Sequence, residues 1–250
     1  MNANQRNSVS VGRDYTDLLA YVRHALRGEG RKVVTFDADG TLWRGDLGEA
    51  HLIQVDREEA DTPGYESVHA QYLEACRDDV GIGYRLGTHV LAPRSEEVVY
   101  ASCERAWGDH RTEQFSFVLP LFREIEALGG ECWIVSASHR WIIEVAARDF
   151  GIPAARIIAG DLECIDGRLT SKVIEPFPNG VGKAQAIAQH IGVAPKLAFG
   201  NSRHDLAMLE YAEHGVIVWD TTSKRESLLA LGRERGWAVV EGQVQTLIEV

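Results

Sequence analysis

The run Lys32-Val-Val-Thr-Phe36 is short, β-branched and apolar on both alternating sets of side chains, and it stops abruptly at Asp37-Ala-Asp-Gly-Thr41. A strand of that kind must be covered on both faces, which is the situation of a parallel sheet between two helical layers. Similar runs recur at residues 132–135, 156–159, 196–199, 216–219 and 237–240. Segments with helical spacing lie between them, at 14–26, 120–128, 139–150, 182–191, 203–211 and 223–231. Gly129-Gly130, Gly151 and Pro153 stand where helix stops belong. Residues 163–173 read as a hairpin turning at Asp166-Gly167. This alternation predicts an α/β chain: a Rossmann-like parallel sheet with helices on both faces. Residues 46–116 differ. They are rich in Glu, Asp and Arg, carry no convincing buried strand, and read as helices and loops.

In open parallel sheets ligands bind outside the carboxyl ends of the strands. The polar residues that end these strands, Asp37, Asp39, Ser136 and Asn201, should therefore converge. Asp37 and Asp39 share a face of an extended chain. Two carboxylates held close imply a bound cation or a shared proton. Ser136, with Ser138 and a helix start just after it, could make an anion site or merely cap the helix. Lys183 opens a helix after Gly180-Val-Gly182, and Gly200-Asn-Ser-Arg-His-Asp205 ends a strand and begins another helix. Each alone has a bland reading, as a solvated lysine or a capped helix start. All four in this order are hard to assemble by chance.

These motifs identify the chain as resembling the haloacid dehalogenase-like superfamily of phosphohydrolases, in its phosphoserine phosphatase-like branch. The resemblance covers residues 33–219, and Phe36-Asp-Ala-Asp-Gly-Thr-Leu42 matches the first motif fully. It implies a core of residues 1–45 and 117–250, with residues 46–116 as an inserted α-helical cap domain. It also implies roles. Asp37 would attack phosphorus and carry an aspartyl-phosphate. Asp39 would be the general acid and base, and Thr41 would support their loop. Ser136 and Ala137 would hold phosphate, and Lys183 would neutralise Asp37 and the phosphate. Asp37, Asp39, Asn201 and Asp205 would hold Mg2+. Asp39 favours phosphate chemistry over carbon–halogen cleavage, and the absence of lysine between Arg44 and Pro120 counts against a Schiff-base phosphonate branch. Asn201 stands where the family usually has Asp, which predicts weakened magnesium affinity. Asp46, nine residues after Asp37, matches the position that reads a substrate amine, with Glu49 one turn on. Trp43, Tyr65, Tyr72, Tyr84 and Trp107 are aromatics that could face the pocket. His51, His89, His139 and His204 lack partners at ligand spacing in sequence and are read as structural or solvent-facing.

The expected substrate is a small phosphorylated metabolite, with an amine-bearing one such as phosphoserine or phosphocholine favoured if Asp46 faces it. A phosphotransferase or mutase would use the same covalent step, and a non-catalytic regulatory protein would keep the fold. The formal net charge of -11 argues against nucleic acid and anionic membrane as partners. Cys76, Cys103, Cys132 and Cys164 form no C-x-x-C pair and suit a reducing cytoplasm. No stretch approaches the ~18 apolar residues of a membrane span, and residues 1–10 read as a short disordered leader. Oligomeric state is not encoded. Two glycine patterns are false trails. Gly180-Val-Gly182-Lys183 lacks the first glycine and the Ser/Thr of a phosphate-binding loop, and Gly81-Ile-Gly83 lacks the third glycine of a dinucleotide fingerprint.

Overall fold

The computed structural model describes residues 15–220 and 226–244. The leader expected at residues 1–10 and the start of the helix expected at 223–231 lie outside them. Six strands form one parallel sheet: β1 (Lys32–Phe36), β2 (Gly130–His139), β3 (Ile157–Gly160), β6 (Leu197–Gly200), β7 (His214–Trp219) and β8 (Ala238–Glu241). Their order is β3-β2-β1-β6-β7-β8. With the separate hairpin β4 (Leu162–Ile165) and β5 (Arg168–Val173) set aside, this is the doubly wound order, and it reverses between β1 and β6.

The period of two along each strand divides the core. Val34, Phe36, Ile134, Leu197 and Phe199 face one layer, with α1 (Tyr15–Ala25), α6 (Val118–Ala127) and α7 (Arg140–Ala147). Val33, Trp133, Val135 and Ala198 face the other, with α8 (Val181–His190) and α9 (Leu206–Tyr211). Phe36 is fully buried, stacks on Phe199 at 4.6 Å between ring centroids and meets Phe122 in a tilted contact at 4.7 Å.

Strand β2 runs past the expected 132–135 to His139. Its pairing with β3 shifts register between Val135 and His139, so the strand continues through an irregularity instead of stopping. His139 then caps α7, and a 3-10 turn, Arg148–Phe150, finishes that helix. The hairpin turns at Asp166 (φ 51°) and Gly167 (φ 75°), the two left-handed positions such a tight turn needs.

The insertion is helical: α2 (Leu47–Glu59), α3 (Val68–Asp78), α4 (Val80–His89) and α5 (Glu96–His110). Asp46, Ser67, Asp79 and Ser95 cap them, each side chain accepting a hydrogen bond from a first-turn amide. The hairpin is bonded to this insertion, with Glu96 N donating to Gly167 O and Leu169 N donating to Arg94 O, each at 3.0 Å. On the core side, the Arg140 guanidinium joins α7 to the insertion through Glu96 of α5 and to Asp161, the residue between β3 and β4, at 2.6 Å. Among the described residues no helix is long and apolar enough to cross a membrane. Truncating the stacked ring with Phe36→Ala should cost about 3–5 kcal/mol of stability, read as a lowered midpoint of urea unfolding.

Candidate active site

The reversal in strand order places the ends of β1, β2 and β6 side by side, and a cavity of about 370 Å³ opens there. Its walls include Asp37, Asp39, Asp46, Ser136, Ala137, Lys183, Asn201 and Asp205. The predicted site residues are thus brought together. Thr41 is the exception: it lies beneath the cavity, fully buried, and its hydroxyl donates to Asp37 Oδ2 at 3.1 Å.

Lys183 is 1 % exposed and spends all three of its protons. Its ammonium donates to Asp37 Oδ1 at 2.6 Å, Asp205 Oδ1 at 2.7 Å and Val135 O at 2.8 Å. Burial disfavours its charge, yet the two carboxylates outweigh burial and raise its pKa. Asp205 is pushed up by burial, but Lys183 and the hydrogen bonds of Ser202 hold it below its ordinary range. Its Oδ2 accepts from Asn201 N, Ser202 N and Ser202 Oγ at 3.0, 2.8 and 2.9 Å. Asp37 goes the other way. Burial first, then the Asp205 charge, push it up to about 7 in spite of Lys183.

Asp39 is held at both oxygens. Oδ1 accepts from Trp43 Nε1 at 2.8 Å and Leu47 N at 2.7 Å, and Oδ2 accepts from Ser138 Oγ at 2.6 Å. Two glycines make the fit possible. Gly40 has φ 73°, and a Cβ there would lie 1.8 Å from Asn201 Nδ2, which instead donates to Asp39 O at 2.9 Å. Gly48 in the first turn of α2 would place a Cβ 2.6 Å from Ser138 Oγ. Ser136 Oγ accepts from Ser138 N at 3.1 Å and also lines the cavity.

Asp46 lines the cavity while accepting from Glu49 N at 2.8 Å. Burial and the neighbouring Asp39 raise its pKa well above the ordinary value. Of the five aromatics, Tyr84 lines the cavity and Tyr72 lines a small recess beside it. Trp43 and Trp107 do not; they pack on each other and on Phe150 in the core. Tyr65 donates to Asp56. The two indoles are buried and fill the joint between insertion and core. Glu49 turns to His69 at 2.9 Å. His204 lines the cavity edge-on to Tyr84, whereas His89 bonds Ser171 O.

Sequence reading missed Asp220 and Arg44, both in the cavity wall and paired at 3.1 Å. The signal was present, because Asp220 is the polar residue that ends β7. Five aspartates, at 37, 39, 46, 205 and 220, thus line one cavity with Lys183 and Arg44. Crowded oxygen donors with a carboxyl raised toward neutrality fit a hard dication such as magnesium. Asp37, Asp39, Asn201 and Asp205 are the residues that would hold it.

A family model described as haloacid dehalogenase-like hydrolase matches residues 34–210, and the chain belongs to that family. It is 28% identical over 200 residues to phosphoserine phosphatase SerB2 of Mycobacterium tuberculosis, a match covering 77% of this chain and 45% of that protein. The chain spans about half or less of the length of the curated relatives it matches. Among solved structures, a protein of unknown function from Bordetella pertussis Tohama I superposes with TM-score 0.73 at 21% identity, over 85% of this chain and 99% of that one. A structure titled as the phospho-aspartyl intermediate analogue of phosphoserine phosphatase superposes with TM-score 0.57 at 15% identity, over 87% and 96%. At these identities the structural likenesses show the fold.

The raised Asp37 makes a stability prediction. Its folded pKa of about 7 exceeds the ordinary 3.8, so its contribution is full below the ordinary range and is lost as pH rises to about 7. In chelator, the melting temperature of Asp37→Asn minus that of the parent should therefore grow from pH 4 to 7 and level off above. A flat difference in thermal melts would contradict the burial of this charge.

Proposed function

We propose that this protein is a magnesium-dependent phosphatase that hydrolyses a small phosphomonoester through an aspartyl-phosphate on Asp37. The observation that carries this reading is the setting of Asp37. It is an acid at a strand end, facing a cavity, with one oxygen on a buried ammonium and the other on a hydroxyl. The family membership and the similarity to a phosphoserine phosphatase support it.

An Asp37 oxygen attacks phosphorus, and the bond to the ester oxygen breaks. The leaving oxygen takes a proton from Asp39. Water then attacks the same phosphorus, Asp39 recovers a proton, and the Asp37–phosphorus bond breaks to release inorganic phosphate. Lys183 and Thr41 fix the carboxylate for the first step, and positioning of this kind is the main protein contribution to phosphoryl transfer. The phosphate rests against Ser136 and Ala137. In this reading the hydrogen-bond pattern favours Oδ2 as the oxygen of Asp39 that carries the mobile proton. The donors on Oδ1, an indole N–H and an amide, can only donate, whereas the Ser138 hydroxyl on Oδ2 can also accept. When bound, magnesium supplies positive charge to the phosphoryl oxygens. Asn201 offers it a neutral amide oxygen, which favours weaker binding than a carboxylate would give.

Asp46 and Tyr84 line the cavity wall contributed by the insertion; a carboxyl and an aromatic ring together suit a cationic group, whose charge would favour the ionised form of Asp46. This favours an amine-bearing phosphomonoester. A phosphomonoester panel with magnesium tests the whole reading. Asp37→Asn should abolish turnover while the protein stays folded, and retained turnover would refute the covalent step. Asp46→Ala should erase the preference for amine-bearing over neutral esters, and an unchanged preference would refute that assignment. In the same assay the parent should saturate above the low micromolar range of magnesium.

A further inference from the structure

Beneath the cavity, three side chains far apart in sequence meet at the joint between insertion and sheet. His51 comes from α2, Cys103 from α5 and His139 from the end of β2. One ligating atom of each lies within 4.8 Å of the other two. Their exposures are 0%, 0% and 2%. None of the three lines the carboxylate cavity.

The protons there do not balance in a hydrogen-bonded reading. The Ile142 amide donates to His139 Nδ1 at 3.4 Å, so His139 carries its proton on Nε2. That nitrogen lies 2.9 Å from His51 Nδ1, which must accept. The remaining proton of His51 sits on Nε2, buried and without a partner. A buried polar group left in that state is an exception that calls for an explanation.

We propose that His51, Cys103 and His139 form a binding site for a thiophilic d10 metal ion of the zinc class. Two imidazoles and a thiol are the donor set that such ions select and that magnesium does not. Zinc holds imidazole nitrogen at about 2.0–2.1 Å and thiolate sulfur at about 2.3 Å, which brings its ligands roughly 3.3–3.8 Å apart. No two of the three ligating atoms are more than 4.8 Å apart, so they must close by at most about 1–1.5 Å to reach that spacing. Burial also keeps both imidazoles in the neutral, ligating form: His51 is lowered to about 3, and His139 lies well below its ordinary value. The same burial raises the Cys103 thiol, so binding must release its proton. Ligation through His139 Nε2 moves that ring's proton to Nδ1 and gives up both the long contact from Ile142 and the hydrogen bond to His51. The ion would fasten two helices of the insertion to the strand end that carries Ser138, the partner of Asp39.

The test uses the full chain stripped of metal, titrated with zinc against a chromophoric chelator and with cobalt(II) for its spectrum. The parent should bind one zinc per chain in competition and show thiolate-to-cobalt charge-transfer absorption. Cys103→Ser should lose the absorption and bind zinc at least tenfold more weakly. His51→Gln should bind at least tenfold more weakly, and Asp37→Asn should match the parent in both readouts. No charge-transfer absorption in the parent overturns the proposal whatever the variants do. Zinc affinity unchanged in Cys103→Ser, or lost in Asp37→Asn alone, also overturns it, the latter by assigning the ion to the carboxylate cavity.

Discussion

The Lys183 ammonium is the joint on which the rest of this structure depends. A charge buried this deeply is tolerable only when fully paired. Here every proton has a partner: the carboxylate after β1, a carbonyl of β2 and the carboxylate after β6. One cation therefore ties together the three strand ends around the point where the sheet reverses its order. Taking away one member of such a buried group typically costs about 3–5 kcal/mol, because the others are left charged and alone. Asp205 is the more committed of the two acids, with four hydrogen bonds on its carboxylate. Asp37 is the less satisfied, with Lys183 and Thr41 alone as side-chain donors among the bonds described.

The same arrangement explains why the neighbourhood is so acidic and so dependent on small residues. Asp37 and Asp39 sit close because the backbone between β1 and Thr41 turns at Gly40, directly under Asn201. Helix α2 can press its first turn against Ser138 because residue 48 has no side chain. These contacts place Asp46, Asp39 and Ser138 in one wall, where the insertion meets the sheet. The two acids proposed for substrate choice and for proton transfer thus share one surface of contact between two parts of the chain.

Much of this could be read from the sequence. The strands announced themselves as short apolar runs, and the polar residues at their ends marked the site. The Asp166-Gly167 turn was legible because only certain residues accept left-handed backbone at both positions. What stayed hidden was whatever depends on distance across the fold. Trp43 and Trp107 look alike in sequence to Tyr84, yet packing sends the first two to the core and the third to the cavity. His51 and His139 are 88 residues apart and meet at 2.9 Å. Asp220 carried the right signal, but no motif drew attention to it.

The bonds from the β4–β5 hairpin to α5 alter what counts as a moving part. Glu96 N donates to Gly167 O, and Leu169 N donates to Arg94 O. Any swing of the four helices away from the sheet must either break these backbone bonds or carry the hairpin with them. The cheaper course keeps the bonds, so the rigid unit includes the hairpin along with the insertion. The chain then crosses between the two bodies at four places instead of two. A hinge with four crossings permits rotation about one axis and resists twist about the others. An opening of this cavity would accordingly resemble a door more than a loose flap.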